Sequence, residues 1–109
     1  MTHITLVYKQ KSDGRLCHSC AVVQEHLQRN GFDGLIDRIL VADERDPGGE
    51  AWELARRYNA RSAPFFLVAQ DGVDRIYTSY PRVLRDVLQP QSKARPSPDS
   101  YDETVHDIL

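Results

Sequence analysis

The first apolar stretch, HITLVYK at positions 3–9, has almost no polar interruption and is rich in β-branched residues. That pattern predicts a strand buried on both faces. QKSDGRL follows; it is polar, carries Asp13-Gly14 and predicts a loop. From Cys17 the spacing changes. Cys20, Val23 and Leu27 recur at helical intervals, which leaves Glu25, Gln28 and Arg29 for the wet side. Asn30-Gly31 closes this helix, because glycine accepts the left-handed backbone of a helix end. LIDRILVA, 35–42, predicts a second strand. A second helix comes next, with Asp46 as its cap, Pro47 in its first turn and Ala51, Leu54, Ala55 and Tyr58 on one face. Two apolar runs, 65–69 and 73–77, flank Asp71-Gly72, a pair suited to a tight turn, so they predict a hairpin. A last helix begins near Pro81, with an apolar stripe of Val83, Leu84, Val87 and Leu88.

The resulting order is β-α-β-α-β-β-α. Helices between the early strands and a hairpin at the end predict an α/β sandwich with a mixed four-stranded sheet. The folded unit is expected to span residues 1–88. After it, QPQSKARPSPDS holds three of the six prolines, and residues 89–109 are read as a flexible tail. Near the end, Ser100 and Glu103 form a possible capping box, with Tyr101, Val105, Ile108 and Leu109 as a short apolar face.

Composition narrows the function classes. The formal charge is −2, and residues 1–88 carry 12 basic and 12 acidic side chains, so the tail supplies the imbalance. A chain this close to neutrality does not suggest nucleic acid or an anionic membrane as a partner. No apolar run reaches the length of a membrane span. The first residues, MTHITLVYKQK, lack the pattern of a secretory signal, so a cytoplasmic setting is expected. In that setting thiols are kept reduced, and a disulfide is made and broken in use rather than kept as a staple.

The candidate chemistry lies in GRLCHSC, 14–20, which contains both cysteines of the chain. A strand, a loop and then C-x-x-C opening a helix form a specific combination. Cys17 falls at the helix N-terminus, where unpaired N–H groups and the positive end of the helix dipole favour a thiolate. The thiolate is the species that attacks a disulfide. Cys20, one turn further in, is placed to resolve the mixed disulfide. His18 sits between the two as a candidate for tuning the potential of the pair.

With CHSC after the first strand, SAPFFLV opening the hairpin and this element order, residues 3 to about 88 resemble the thioredoxin superfamily. The resemblance implies a thioredoxin-like sandwich and dithiol–disulfide exchange through Cys17 and Cys20. It also implies that Pro64 follows a cis bond facing the pair, and that the backbone of Ala63 docks an extended substrate. The motif departs from both best-known branches. Leu16 rather than tryptophan precedes Cys17, and TSYPR (78–82) stands where glutaredoxins carry Gly-Gly and Asp. Side chains on Ser79 and Tyr80 imply weak glutathione binding.

The expected partners are a disulfide-containing client protein, with a reductase or a low-molecular-weight thiol as the electron source. No bound cofactor is needed, since the electrons reside on two sulfurs. Two other readings stand beside this one. Cys17, His18, Cys20 and His26 are potential metal ligands, yet a closed zinc site needs four well-placed groups and only two are cysteine; a dimer could instead bridge a metal or an iron–sulfur cluster with Cys17 and Cys20 of two chains. Alternatively the fold is a non-catalytic platform, with Phe65, Phe66, Tyr77 and Tyr80 forming an apolar surface around the pair.

Overall fold

The computed structural model describes residues 2–94. Strand β1 (Thr2–Gln10) runs through the middle of the sheet, and its Ile4–Tyr8 segment is buried throughout, as its unbroken apolar pattern requires. The strand order is β2-β1-β3-β4. β2 (Arg38–Asp43) pairs parallel to β1, with Leu6 beside Ile39. β3 (Phe65–Gln70) pairs antiparallel to β1, with Leu6 opposite Phe66, and β4 (Val73–Tyr77) pairs antiparallel to β3. The architecture is therefore the mixed four-stranded α/β sandwich expected from the sequence.

The two faces of β1 divide the core by the two-residue period of a strand. Ile4, Leu6 and Tyr8 point to one side, where they pack with Cys20, Val23 and Leu27 of helix α1 (His18–Arg29) and with Val83, Val87 and Leu88. Val7 points to the other side, where it meets Ala42, Phe65 and Ala51 of helix α2 (Glu50–Arg57). The β3–β4 turn has Asp71 at φ 54° and Gly72 at φ 78°. Positive φ at both central residues is the geometry that matches the twist of a two-residue hairpin.

Three boundaries differ from the sequence expectation. Asp33–Leu35 forms a short 3-10 turn, so the second strand begins at Arg38 rather than at 35. Asp37 is the cause: its carboxylate accepts the Ile4 N–H at 2.8 Å while its own N–H donates to Ile4 O at 2.9 Å, which pins the chain just before the strand. Helix α2 starts at Glu50 with Gly49 as cap, not at Asp46 and Pro47. Gly48-Gly49 is a poor first turn, and Asp46 closes a tight turn instead, with its N–H on Asp43 O and its carbonyl accepting from Gly49.

The last helix also runs past the expected end of the domain at 88. Helix α3 (Tyr80–Val83) passes through a π turn at Leu84–Leu88 into helix α4 (Gln89–Ala94). In an α-helix the Pro90 ring would collide with the carbonyl four residues back. The wider π turn just before it relieves that contact, with Gln89 N–H reaching Leu84 O. Gln91 ties this segment to the start of β1 by donating to Thr2 Oγ1 at 3.2 Å. The expected capping box at Ser100–Glu103 and the apolar face of Tyr101, Val105, Ile108 and Leu109 lie outside the described residues.

Candidate active site

The polar loop after β1 brings the chain back onto the strand it has just left. Lys11 N–H donates to Arg15 O at 2.7 Å, Gly14 N–H donates to Lys11 O at 2.9 Å, and the Asp13 carboxylate takes the Arg15 N–H at 2.9 Å. Gly14 turns the corner at φ 87°, a backbone that L side chains rarely adopt. An isolated bridge joins Gln10 to Leu16, and Cys17 N–H donates to Lys9 O at 2.9 Å. The reactive motif is therefore fixed to the end of the central strand before the helix begins.

Cys17 is the N-cap of α1, and its sulfur accepts from Cys20 N–H at 3.4 Å. The two Sγ atoms lie 2.6 Å apart, and both residues are free cysteines. Their surroundings differ sharply. Cys17 is half-buried and reaches the surface, whereas Cys20 is fully enclosed in the core between β1 and α1. Lys9 N–H donates to Cys20 Sγ at 3.3 Å, so one backbone residue holds both cysteines. Sequence reasoning missed that role of Lys9.

Cys20 is pushed up to about 12, first by burial, then by its hydrogen bond with Cys17 and the charge on Cys17; the Lys9 N–H and ammonium pull the other way. Tyr8, packed in the same core, is also pushed up to about 12, by burial and then by the charges of Cys20 and Tyr80. Both groups keep their protons longer when folded than when unfolded. Stability is therefore full below the ordinary thiol range and is lost as pH rises from about 9 toward about 12. Urea denaturation of the reduced protein at pH 8, 9, 10 and 11 is expected to show a falling midpoint. Cys20→Ala is expected to make that fall shallower. An unchanged slope in the variant would remove Cys20 from the alkaline transition.

The Ala63–Pro64 peptide bond is cis. Pro64 is buried at the start of β3, and Ala63 O lies 4.0 Å from Cys17 Sγ. His18 is the first residue of α1 and is exposed. His26 is not with the cysteines; it sits two turns along α1, hydrogen-bonded through Nδ1 to the Tyr80 hydroxyl, with the two rings edge-on at 5.1 Å. Tyr80 stacks on Phe66 at 6.1 Å. Of the residues proposed as an apolar surface, Phe65 and Phe66 are buried core, and only Tyr77 and Tyr80 are half-buried. Among the described residues, no three His, Cys, Asp or Glu side chains converge as a metal site would require. No helix among them is long and apolar enough to cross a membrane.

A hollow of about 250 Å³ opens beside Cys17, between the sheet and α2. Val7, Ala42 and Phe65 form its floor, and Lys9, Arg61 and Ala63 stand at its edge. Trp52 forms one wall and is held there by its Nε1–H, which donates to Asp43 O at 2.7 Å.

No protein-family model matches the chain, and no curated protein matches it. Among solved structures, the chain is similar to a thioredoxin from Thermus thermophilus determined in solution. The two are 16% identical, the alignment covers 85% of this chain and 77% of that one, and the TM-score is 0.41.

Proposed function

We propose that this protein is a dithiol–disulfide oxidoreductase that reduces a disulfide on a client protein. One observation carries the reading: two free cysteines 2.6 Å apart at a helix N-terminus, one reaching the surface and the other sealed in the core. Accessibility supports one division of roles. Cys17 attacks one sulfur of the client disulfide, forming a Cys17–client bond and releasing the other client sulfur as a thiolate. Cys20 then attacks Cys17 Sγ, forming the Cys17–Cys20 bond and releasing the second client sulfur. Two electrons pass from the pair to the client, and the two client thiolates take up protons.

The order of these steps follows from what surrounds Cys20. While Cys17 is free, its hydrogen bond and its charge hold the proton on Cys20. Once Cys17 is bonded to the client, both influences are gone; burial still holds the Cys20 proton, and the Lys9 amide and ammonium work against it. Resolution is thereby coupled to capture. The Ala63 backbone, beside Cys17 and before the cis bond, docks the client segment, and exposed His18 tunes the pair. Replacing His18 by leucine is expected to make the couple more reducing; an unchanged midpoint potential would leave His18 without that role.

The return to the dithiol form draws electrons from an external reductase or a low-molecular-weight thiol. The test is reduction of a peptide disulfide by limiting dithiothreitol, with and without the protein. Catalysis well above the dithiothreitol background supports the reading. A rate equal to background removes it.

A further inference from the structure

The hollow beside Cys17 exists because its lining residues are small. Ala42, Ala55, Ala60 and Ala63 leave space that larger side chains would close, and Trp52 keeps one wall upright. At about 250 Å³ it falls below the roughly 300–1,000 Å³ of pockets that enclose a small-molecule ligand. It is open, apolar at the bottom, and has the reacting cysteine in its rim. Its mouth is cationic. Arg61 is exposed and makes no ion pair among the described residues, whereas Lys9 is partly neutralised by Glu44 at 3.6 Å.

We propose that this hollow seats one large apolar side chain of a polypeptide client, two positions from the client's disulfide cysteine, and that Arg61 selects an acidic residue near it. The inference rests on the disulfide-exchange reading and specifies its substrate class. A client strand lying along Ala63 brings its cysteine to Cys17, and the side chain two positions along, which a strand sets on the same face, then falls into the space under Trp52. Seating it removes apolar surface from water on both partners, and this binding gain is available only to clients with the right neighbour.

The test uses the full chain and three kinds of substrate: bis(2-hydroxyethyl) disulfide, a peptide disulfide with leucine or serine two residues from the cysteine, and the same leucine peptide with glutamate or lysine next in line. The expected leucine-to-serine ratio of kcat/KM is at least about tenfold, the scale on which an apolar pocket discriminates a methylene or more. Glutamate is expected to outperform lysine. In Ala55→Leu, which fills the hollow, the leucine-to-serine ratio is expected to fall toward one. Because both peptides are read on the same preparation, the folded fraction cancels. In Arg61→Glu the glutamate preference is expected to invert.

The failures separate cleanly. If no disulfide, including the small one, is turned over, the proposed function itself falls. If the small disulfide is turned over but the leucine-to-serine ratio is one, or survives unchanged in Ala55→Leu, the hollow is not the selecting site. A lysine preference in the unmodified protein would overturn the role of Arg61.

Discussion

Replacing Cys17 by serine is expected to reduce disulfide turnover by on the order of 10³-fold or more, the scale on which enzymes lose rate when the attacking group itself is removed. Replacing Cys20 by serine has a different signature. Cys17 still attacks, but nothing resolves the adduct, so a covalent one-to-one mixed disulfide with the peptide accumulates and is seen by intact mass. The two variants are equivalent on paper, since each leaves one thiol. They differ because Cys17 reaches the surface while Cys20 has no exposed area and holds its proton up to about 12. If Cys17→Ser trapped the same peptide as readily, the assignment of nucleophile and resolving cysteine would be reversed.

The second large effect concerns stability. Phe66 is 1% exposed, lies opposite Leu6 on one neighbouring strand and Tyr77 on the other, and stacks on Tyr80. Phe66→Ala is expected to cost about 3–5 kcal/mol through lost burial and the cavity left behind. That is a large part of the roughly 5–15 kcal/mol that holds a domain of this kind together. The change in urea midpoint at constant m-value measures it. A loss below about 1 kcal/mol would mean that the core between β3 and α3 is not packed as described.

Features set by local chemistry were readable from the chain. The unbroken apolar run of β1, the helical spacing from Cys17 and the Asp71-Gly72 turn each depend on a few neighbouring residues, and each stands where the pattern puts it. Features set by distant partners were not. The 3-10 turn before β2 is fixed by Asp37 binding Ile4, 33 residues away. The His26–Tyr80 bond spans 54 residues, and neither residue type signals the other. The continuation of the last helix through Pro90 depends on a π turn that no propensity anticipates.

The same division runs through the site. The C-x-x-C pair was legible because spacing and residue type carry it, and the cis bond before Pro64 because the resemblance implied it. The hold of Lys9 on both cysteines was not, because it uses backbone groups that every residue possesses. The hollow was not legible either: its alanines come from β2, from α2 and from the loop before β3, and only the fold gathers them.

A redox titration of the purified protein tests the central claim most directly. The protein is equilibrated across graded dithiol buffers, quenched in acid, its thiols are alkylated in denaturant, and the adducts are counted by intact mass. The account predicts two alkylated thiols at low potential and none at high potential, joined by one two-electron transition with a midpoint between roughly −180 and −270 mV, within the range of known exchangers. Thiols that stay alkylatable across the whole range, with no Cys17–Cys20 bond forming, would contradict it.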